Sequence, residues 1–274
     1  MNLNALLNAY DAEERRGSPP PGLHQESTRH VTRELPDDGS YWIAWSDLRT
    51  LSGDQVDTLL AQEAAYARRL GRAVEWKHHG HDAPPDLVER LARHGFRPGE
   101  PEALLVADVR TVHTTLEAPH GDVRDVGLHD LDALRHVYQA VWPDETDRVL
   151  RMIGTYLQRD PMGVHAVAAY RDGEPVSAGW TTYRPGSRFA ALWGGATLPH
   201  ARGQGHYRAV VAARVQEAQR RGRTHALVDA APTSRPILER AGFQLLTLTT
   251  PCLFDPQDPS EDVTPPDVGR TLTE

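Results

Sequence analysis

The sequence predicts an α/β protein (α+β in some schemes) made of two tandem units, each a mixed, mostly antiparallel sheet flanked by helices. Three observations carry that expectation. Residues 164–198 hold three strand-like runs joined by tight turns. A glycine-rich octet, HARGQGHY (200–207), then separates the last run from a helical stretch, and the segment after it has a weaker copy earlier in the chain.

The C-terminal half justifies its elements one by one. GDVRDV (121–126) reads as a strand, and LHDLDALRHVYQAV and DRVLRMIGTYLQR repeat as two amphipathic helices with VWPDE between them. GVHAVAAY and PVSAGWTTY are strand-like runs joined at Arg171-Asp172-Gly173-Glu174, whose Asp-Gly pair favours a two-residue hairpin turn. RPGS (184–187) turns the chain into RFAALWGGATL. After the octet comes a helix with Tyr207, Val210, Val211, Val215 and Ala218 on one face, which sets Arg214, Glu217 and Arg221 elsewhere; Gly222 ends it. THALVDA reads as a buried strand, SRPILERAGF as a short helix and QLLTLTTPCLF as a closing strand. A helix between ALWGGATL and HALVDA lets those two strands run parallel.

The copy lies at 67–106, where ARRLGRAVEWKHHGHDAPPDLVERLARHGFRPGEPEALLV can be laid beside AQRRGRTHALVDAAPTSRPILERAGFQLLTLTTPCLF (218–254). Both run helix end, Gly-Arg, apolar strand, loop, then ERLARHGF against ERAGF and an apolar finish. A chance likeness of two short α/β segments is the plainer alternative, and the shared order of elements argues against it. Ahead of the copy stand TRHVTREL, SYWIAWSD and a helix at GDQVDTLLAQEAAYARRL, with Leu51-Ser52-Gly53-Asp54 where the octet would be expected. RTVHTTLEAPHG (110–121) reads as a linker. The division expected is 1–112, 113–255, and an acidic, Pro-rich mobile tail at 256–274.

Composition narrows the function. The formal net charge is -8, but the last twenty residues hold six acids and one arginine, so the remainder is close to neutral and has no basic face of the kind phosphate backbones require. Nucleic acid is excluded as a partner on that ground. No apolar run approaches the roughly 18 residues of a membrane span and the N-terminus lacks a signal peptide's order, so a cytoplasmic location is expected. Cys252, alone of its type, reads as a small buried hydrophobe and leaves no Cys-rich zinc site. HHGHD (78–82) lacks further ligands and reads as a solvated loop rather than a metal site, so no metal is expected.

The octet reads as an anion site. An apolar strand, a glycine turn and a helix start leave several N–H groups unpaired at a positive dipole end. Gly203 and Gly205 permit unusual dihedrals and close approach, and Arg202 can add a charged contact. An ordinary glycine turn is the alternative. No G-x-x-x-x-G-K-[ST] is present, and the antiparallel strands before the loop are unlike a dinucleotide-binding unit. Gly194 and Gly195 inside a strand point to a bulge that would aim an N–H at a ligand carbonyl, unless they only relieve crowding near Trp193.

From about residue 121 to 254 the chain resembles the GNAT superfamily of acyl-CoA-dependent N-acyltransferases. Their loop follows Q/R-x-x-G-x-G/A, which Arg202-Gly203-Gln204-Gly205-His206-Tyr207 fits at its first and fourth positions, with Tyr207 departing at the sixth. The N-terminal half resembles a degenerate second copy, as in tandem members such as mycothiol synthases. The resemblance implies acetyl-CoA as cosubstrate and an amine acceptor, small molecule or protein, for a chain acting as a monomer or homodimer. It implies that the backbone of Ala196, Thr197 and Leu198 pairs with the pantetheine arm, and that Arg202, Gly203, Gln204, Gly205, His206 and Tyr207 surround the pyrophosphate. Where the family often has a tyrosine acid, this chain has Leu238, so Tyr207 or Ser234 is the replacement if the thiolate needs one. Among catalytic candidates, Asp229, at the end of its strand, is the one for the base, and Glu145, in VWPDE, lies where the family commonly shapes its acceptor site; a capping or turn aspartate and a solvated loop or first-turn acid are the alternatives. Trp142, Trp180 and Tyr183 are candidate acceptor-pocket walls, or plain core. A noncatalytic acyl-CoA-binding module is the competing function.

Overall fold

The structure, a computed structural model, describes residues 2–20, 22–115 and 122–258, without the side chains of 113–115. The expected tail lies outside the described residues from 259 onward, as does the end of the expected linker from 116 to 121. The start of that linker is no loop: Val109–Thr115 is helix α4, because Val109 and Val112 are apolar at helical spacing and pack into the C-terminal core.

In the N-terminal half, α1 (Leu3–Tyr10) leads to β1 (Leu23–Ser27), β2 (Val31–Pro36), β3 (Tyr41–Ser46), α2 (Gly53–Leu70), β4 (Val74–His79), α3 (Leu87–Arg93), β5 (Arg97–Pro98) and β6 (Glu102–Asp108). The C-terminal half follows α4 with β7 (Asp122–Asp125), α5 (Asp132–Val141), α6 (Thr146–Arg159), β8 (Val164–Arg171), β9 (Glu174–Thr182), β10 (Phe189–Thr197), α7 (His206–Arg220), β11 (His225–Ala230), α8 (Arg235–Arg240) and β12 (Gln244–Phe254). Asp172 and Gly173 both have positive φ, the requirement of the tight turn that joins β8 to β9. The sequence reading missed α1 and β1; β1 is short, with a mixed polar sequence, and stands in the first half where β8 stands in the second.

The twelve strands among the described residues join one mixed, mostly antiparallel sheet, ordered β1-β2-β3-β4-β12-β6-β11-β10-β9-β8-β7, with β5 beside β12. Parallel pairing occurs where a helix connects the strands, β3 with β4 and β10 with β11. The centre of the sheet is reciprocal. β6 of the first half lies along β11 from Ala103↔Ala230 to Asp108↔His225, and β12 of the second half lies along β4 from Thr249↔His79 to Phe254↔Val74. The short pairings match as well: Arg97 and Pro98 meet Leu253 and Cys252, while Gln244 and Leu245 meet Val106 and Leu105. The two copies read in the sequence are thus related by a pairing pattern with local two-fold character, and each gives its last strand to the other. Cys252 is fully buried in this exchanged strand.

The cores follow the same exchange. Ala103, Leu105 and Ala107 of β6 pack with Val211, Val215, Leu238 and Phe243 of the second half, whereas Cys252 and Phe254 of β12 pack with Trp76, Leu91 and Phe96 of the first. Among the described residues no helix is long and apolar enough to cross a membrane. Deleting residues 1–112 strips the strand from β11 and β12 and several apolar side chains from the core beneath them. The remainder is expected to be insoluble, or to lack a cooperative unfolding transition by circular dichroism; a soluble, folded remainder would contradict this account of the sheet.

Candidate functional site

The site begins where two parallel strands part. β10 and β11 pair only from Phe189↔His225 to Ala191↔Leu227. Beyond that, β10 shifts register against β9 between Trp193 and Ala196, so the glycine pair does form a bulge. Gly194 has φ +56°, a left-handed conformation that costs other residues about 1–2 kcal/mol. A Cβ on it would stand 2.8 Å from the Tyr138 hydroxyl and 2.9 Å from Trp180 Nε1, so space as well as conformation requires glycine. Past the bulge Ala196 and Thr197 pair with β9, and their other edge has no strand partner among the described residues. An extended ligand chain can lie there as an added strand. Leu198 is placed differently, since its N–H donates to the Val176 carbonyl and its own carbonyl accepts from Ala201.

The open edge leads to the start of α7. Gly203 and Gly205 have φ of +75° and +90°, and no side chain caps the helix. The first N–H groups of α7 therefore point outward at the positive end of its dipole. Gln204 braces the turn by donating to the His200 carbonyl and accepting from Arg171, and Arg202 Nε donates to the Thr197 carbonyl. The first half is the informative contrast. α2 starts with a capping box in which the Ser52 hydroxyl accepts from Gln55 N–H and the Gln55 side chain accepts from Ser52 N–H, which closes that helix end to an anion.

Tyr207 lies beneath the bulge, its ring 2.8 Å from where a Cβ on Gly195 would be. Burial raises its phenol, which therefore stays protonated at neutral pH, although the nearby Arg214 charge and Ser234 work against the rise. Leu238, in the family's tyrosine position, is core.

On the other side of the parting strands, a cavity of about 380 Å³ lies between the halves. Trp193 and Gly194 open into it, Trp142 and Trp180 form walls, and Asp229 and Lys77 stand at its edge. Burial works to raise the Asp229 carboxyl, but the Lys77 ammonium at 2.9 Å, with a Thr249 hydrogen bond, outweighs it and holds the carboxyl below the usual range. Tyr183, the third aromatic of the sequence reading, packs into the core instead. Glu145 is apart from the cavity: it is exposed at the start of α6 and ion-paired with Arg148, which does line the cavity.

Several residues here differ from the sequence reading. Arg214, expected only to lie off the apolar face of its helix, is 1% exposed and donates to the carbonyls of Val210, Trp180 and Trp193. It occupies room left by Gly179 and Gly195 on neighbouring strands, a match visible only once β9 and β10 are in register. Burial lowers its guanidinium, and its positive charge lies near the buried Tyr138, whose hydroxyl has no hydrogen-bond partner among the described residues. HHGHD is not a solvated loop either: His79 closes β4 and is 2% exposed, bonded to the Tyr10 hydroxyl, while Asp82 grips Arg15 through two hydrogen bonds. The physical reason is Arg15, which follows α1 and packs its charge against this loop. Arg171, Lys77 and Glu75 also escaped sequence reasoning, because lone charged residues in strands carry no local signal.

Residues 129–243 match the family model described as "Acetyltransferase (GNAT) family". This segment is a GNAT domain. No curated protein matches the chain at a significant level. Among solved structures, the chain resembles a GCN5-related N-acetyltransferase from Kribbella flavida, with TM-score 0.68 and 19% identity over 94% of this chain and 96% of that one. It also resembles a tandem GNAT protein from the clavulanic acid biosynthesis pathway, with TM-score 0.61 and 12% identity over 93% and 95%. A functionally unknown conserved protein from Staphylococcus epidermidis has TM-score 0.62 and 13% identity over 84% and 92%. These likenesses extend the GNAT fold over both halves.

Two outcomes follow from this geometry. Gly194→Ala should lower unfolding free energy by about 1–3 kcal/mol in urea titrations, through strain and overpacking against Tyr138 and Trp180; an unchanged midpoint would remove the case for an obligatory bulge glycine. Burial, with Arg15 close by, pulls His79 down to about 4. A base whose folded value lies below its unfolded value of about 6.5 leaves the unfolded chain holding more protons between the two, so its contribution weakens as pH falls through that window. Between pH 7 and 4.5, His79→Gln should lose less stability than the parent by roughly 1–3 kcal/mol, read from urea midpoints at each pH.

Proposed function

We propose that the protein is an acyl-CoA-dependent N-acyltransferase that moves an acetyl group from acetyl-CoA to an amine of a small molecule or protein by direct transfer. The observation that carries this reading is the uncapped start of α7 lying at the end of an unpaired β10 edge, with a cavity opening at the bulge between them. In this reading the amides of Gly203, Gln204, Gly205, His206 and Tyr207 hold the pyrophosphate, with Arg202 beside them. Ala196 and Thr197 hold the pantetheine arm; Leu198, whose backbone is already bonded, ends that edge. The bulge N–H groups stabilise charge that develops on the thioester oxygen.

Tyr207, protonated and lying against Gly195, is the proposed acid for the departing thiolate. Asp229 and Glu145, both ion-paired, are proposed to shape the acceptor side, Asp229 by fixing Lys77 at the cavity edge and Glu145 by holding Arg148. The two halves are taken as repeat units meeting near residue 112, and only the second keeps the anion site. A second reading, a noncatalytic acyl-CoA-binding module, is favoured by the buried Leu238 where the family often has an acid and by the neutralised Asp229.

Labelled acetyl-CoA incubated with a broad panel of amines is expected to give labelled amide; tight acetyl-CoA binding with no transfer to any amine would favour the second reading. The loop is tested separately. Nothing lies within 4 Å of a Cβ placed on Gly203, and aspartate tolerates positive φ better than most residues, so Gly203→Asp should fold while putting a carboxylate among the amides. Calorimetry is expected to show coenzyme A binding weakened at least about tenfold. Unchanged affinity would overturn the assignment.

A further inference from the structure

The cavity between the halves carries a feature that the proposed function leaves unused. Its basic side chains are all matched by acids. Arg184 holds Glu34 at 2.7 Å and Glu14 at 3.4 Å. Lys77 holds Asp229 and Glu102, Arg15 holds Asp82 and Asp11, and Arg148 holds Glu145. Glu75 is left over: it lines the cavity, is partly buried, and among the described residues its carboxylate makes no hydrogen bond or contact ion pair, although it feels the charges of Lys77 and Arg148. Its register partner on β3 is Trp42, which puts an indole on the same face of the sheet beside that carboxylate. The rest of the wall is largely apolar, and Trp142, Trp180, Trp193 and Met152 line it together with Gly194 of the bulge.

We infer that this cavity takes a small hydrophobic or aromatic amine whose ammonium docks between Glu75 and Trp42 and whose apolar body lies against the tryptophans. The inference rests on the transferase reading for its purpose, since Gly194 opens into the same cavity, but not for its test. An unpaired carboxylate in an apolar wall is costly unless a cation completes it, and an indole beside it adds a cation–π attraction. An anionic ligand would meet the Glu75 carboxylate instead, with Glu102 and Asp229 near it. Burial raises the Glu75 carboxyl, Glu102 and Asp229 add to it, and Lys77 and Arg148 offset it only in part, so the group is suited to accept the ammonium proton as well as to hold it. In that step the N–H bond breaks, a Glu75 O–H bond forms and the nitrogen lone pair is freed. The N-terminal half then supplies a side chain that touches the acceptor.

The test is calorimetric titration of the full chain with 2-phenylethylamine and, separately, with 3-phenylpropionate, a similarly shaped anion, with coenzyme A titrated in parallel. Saturable binding of the amine and none of the anion is expected. Glu75→Gln should weaken the amine at least about tenfold and leave coenzyme A affinity unchanged. Glu75→Ala serves the same purpose should the glutamine variant fail to fold, and the wild-type comparison decides between amine and anion without either. Equal or tighter binding of the anion, no binding of the amine, or undiminished amine affinity in a folded Glu75 variant would overturn the inference. Loss of coenzyme A binding alone would instead strike the transferase reading.

Discussion

The parting of β10 from β11 is the constraint on which the rest of the molecule depends. Two parallel strands joined through α7 are held together for three residue pairs. β6 then holds β11 along its whole length on the far side, while β10 bulges at Gly194 and stays with β9. The gap leaves backbone polar groups facing an opening instead of a neighbour, a cost that a sheet interior does not bear without some return. Here the return is a channel directed at a bare helix end on one side and an aromatic cavity on the other. Arg214 supports the arrangement from below, its donors spent on three carbonyls and its bulk fitted to two glycines.

The same parting occurs in the first half, where β3 and β4 pair only from Tyr41↔Val74 to Ile43↔Trp76, yet it leads to nothing comparable. Ser52 and Gln55 satisfy each other's amides at the start of α2, and Arg90 covers Gly53. One repeat has thus given its helix end to local stability while the other keeps it exposed. What the first half contributes is wall: β4 and the residues after α1 close the cavity that the second half opens.

How much of this could be read beforehand depended on the range of the interaction. The glycine octet, the Asp172-Gly173 turn, the bulge at Gly194 and the missing loop at residues 51–54 are all local, written in conformational demands that few residue types meet. Helix α7 showed its apolar face, but the burial of Arg214 off that face was not legible, because it depends on glycines in two strands 19 and more residues away. HHGHD looked like an ordinary polar loop because its partner, Arg15, lies over 60 positions earlier. Glu75 had no local signal at all: its meaning comes from every neighbouring acid being matched and itself not. Self-similarity revealed two copies. It could not reveal that their last strands change places, since swapped and unswapped pairings satisfy the same apolar pattern.

That exchange has a consequence for how the chain reaches its native state. Synthesis proceeds from the N-terminus, and β4 leaves the ribosome some 170 residues before the strand that covers its edge. β6 likewise emerges before β11 and β12 exist to receive it. Neither repeat can therefore mature as a separate unit during translation. The early half must remain open-edged, with Trp76 and Phe96 short of their neighbour Phe254, until β12 has been made.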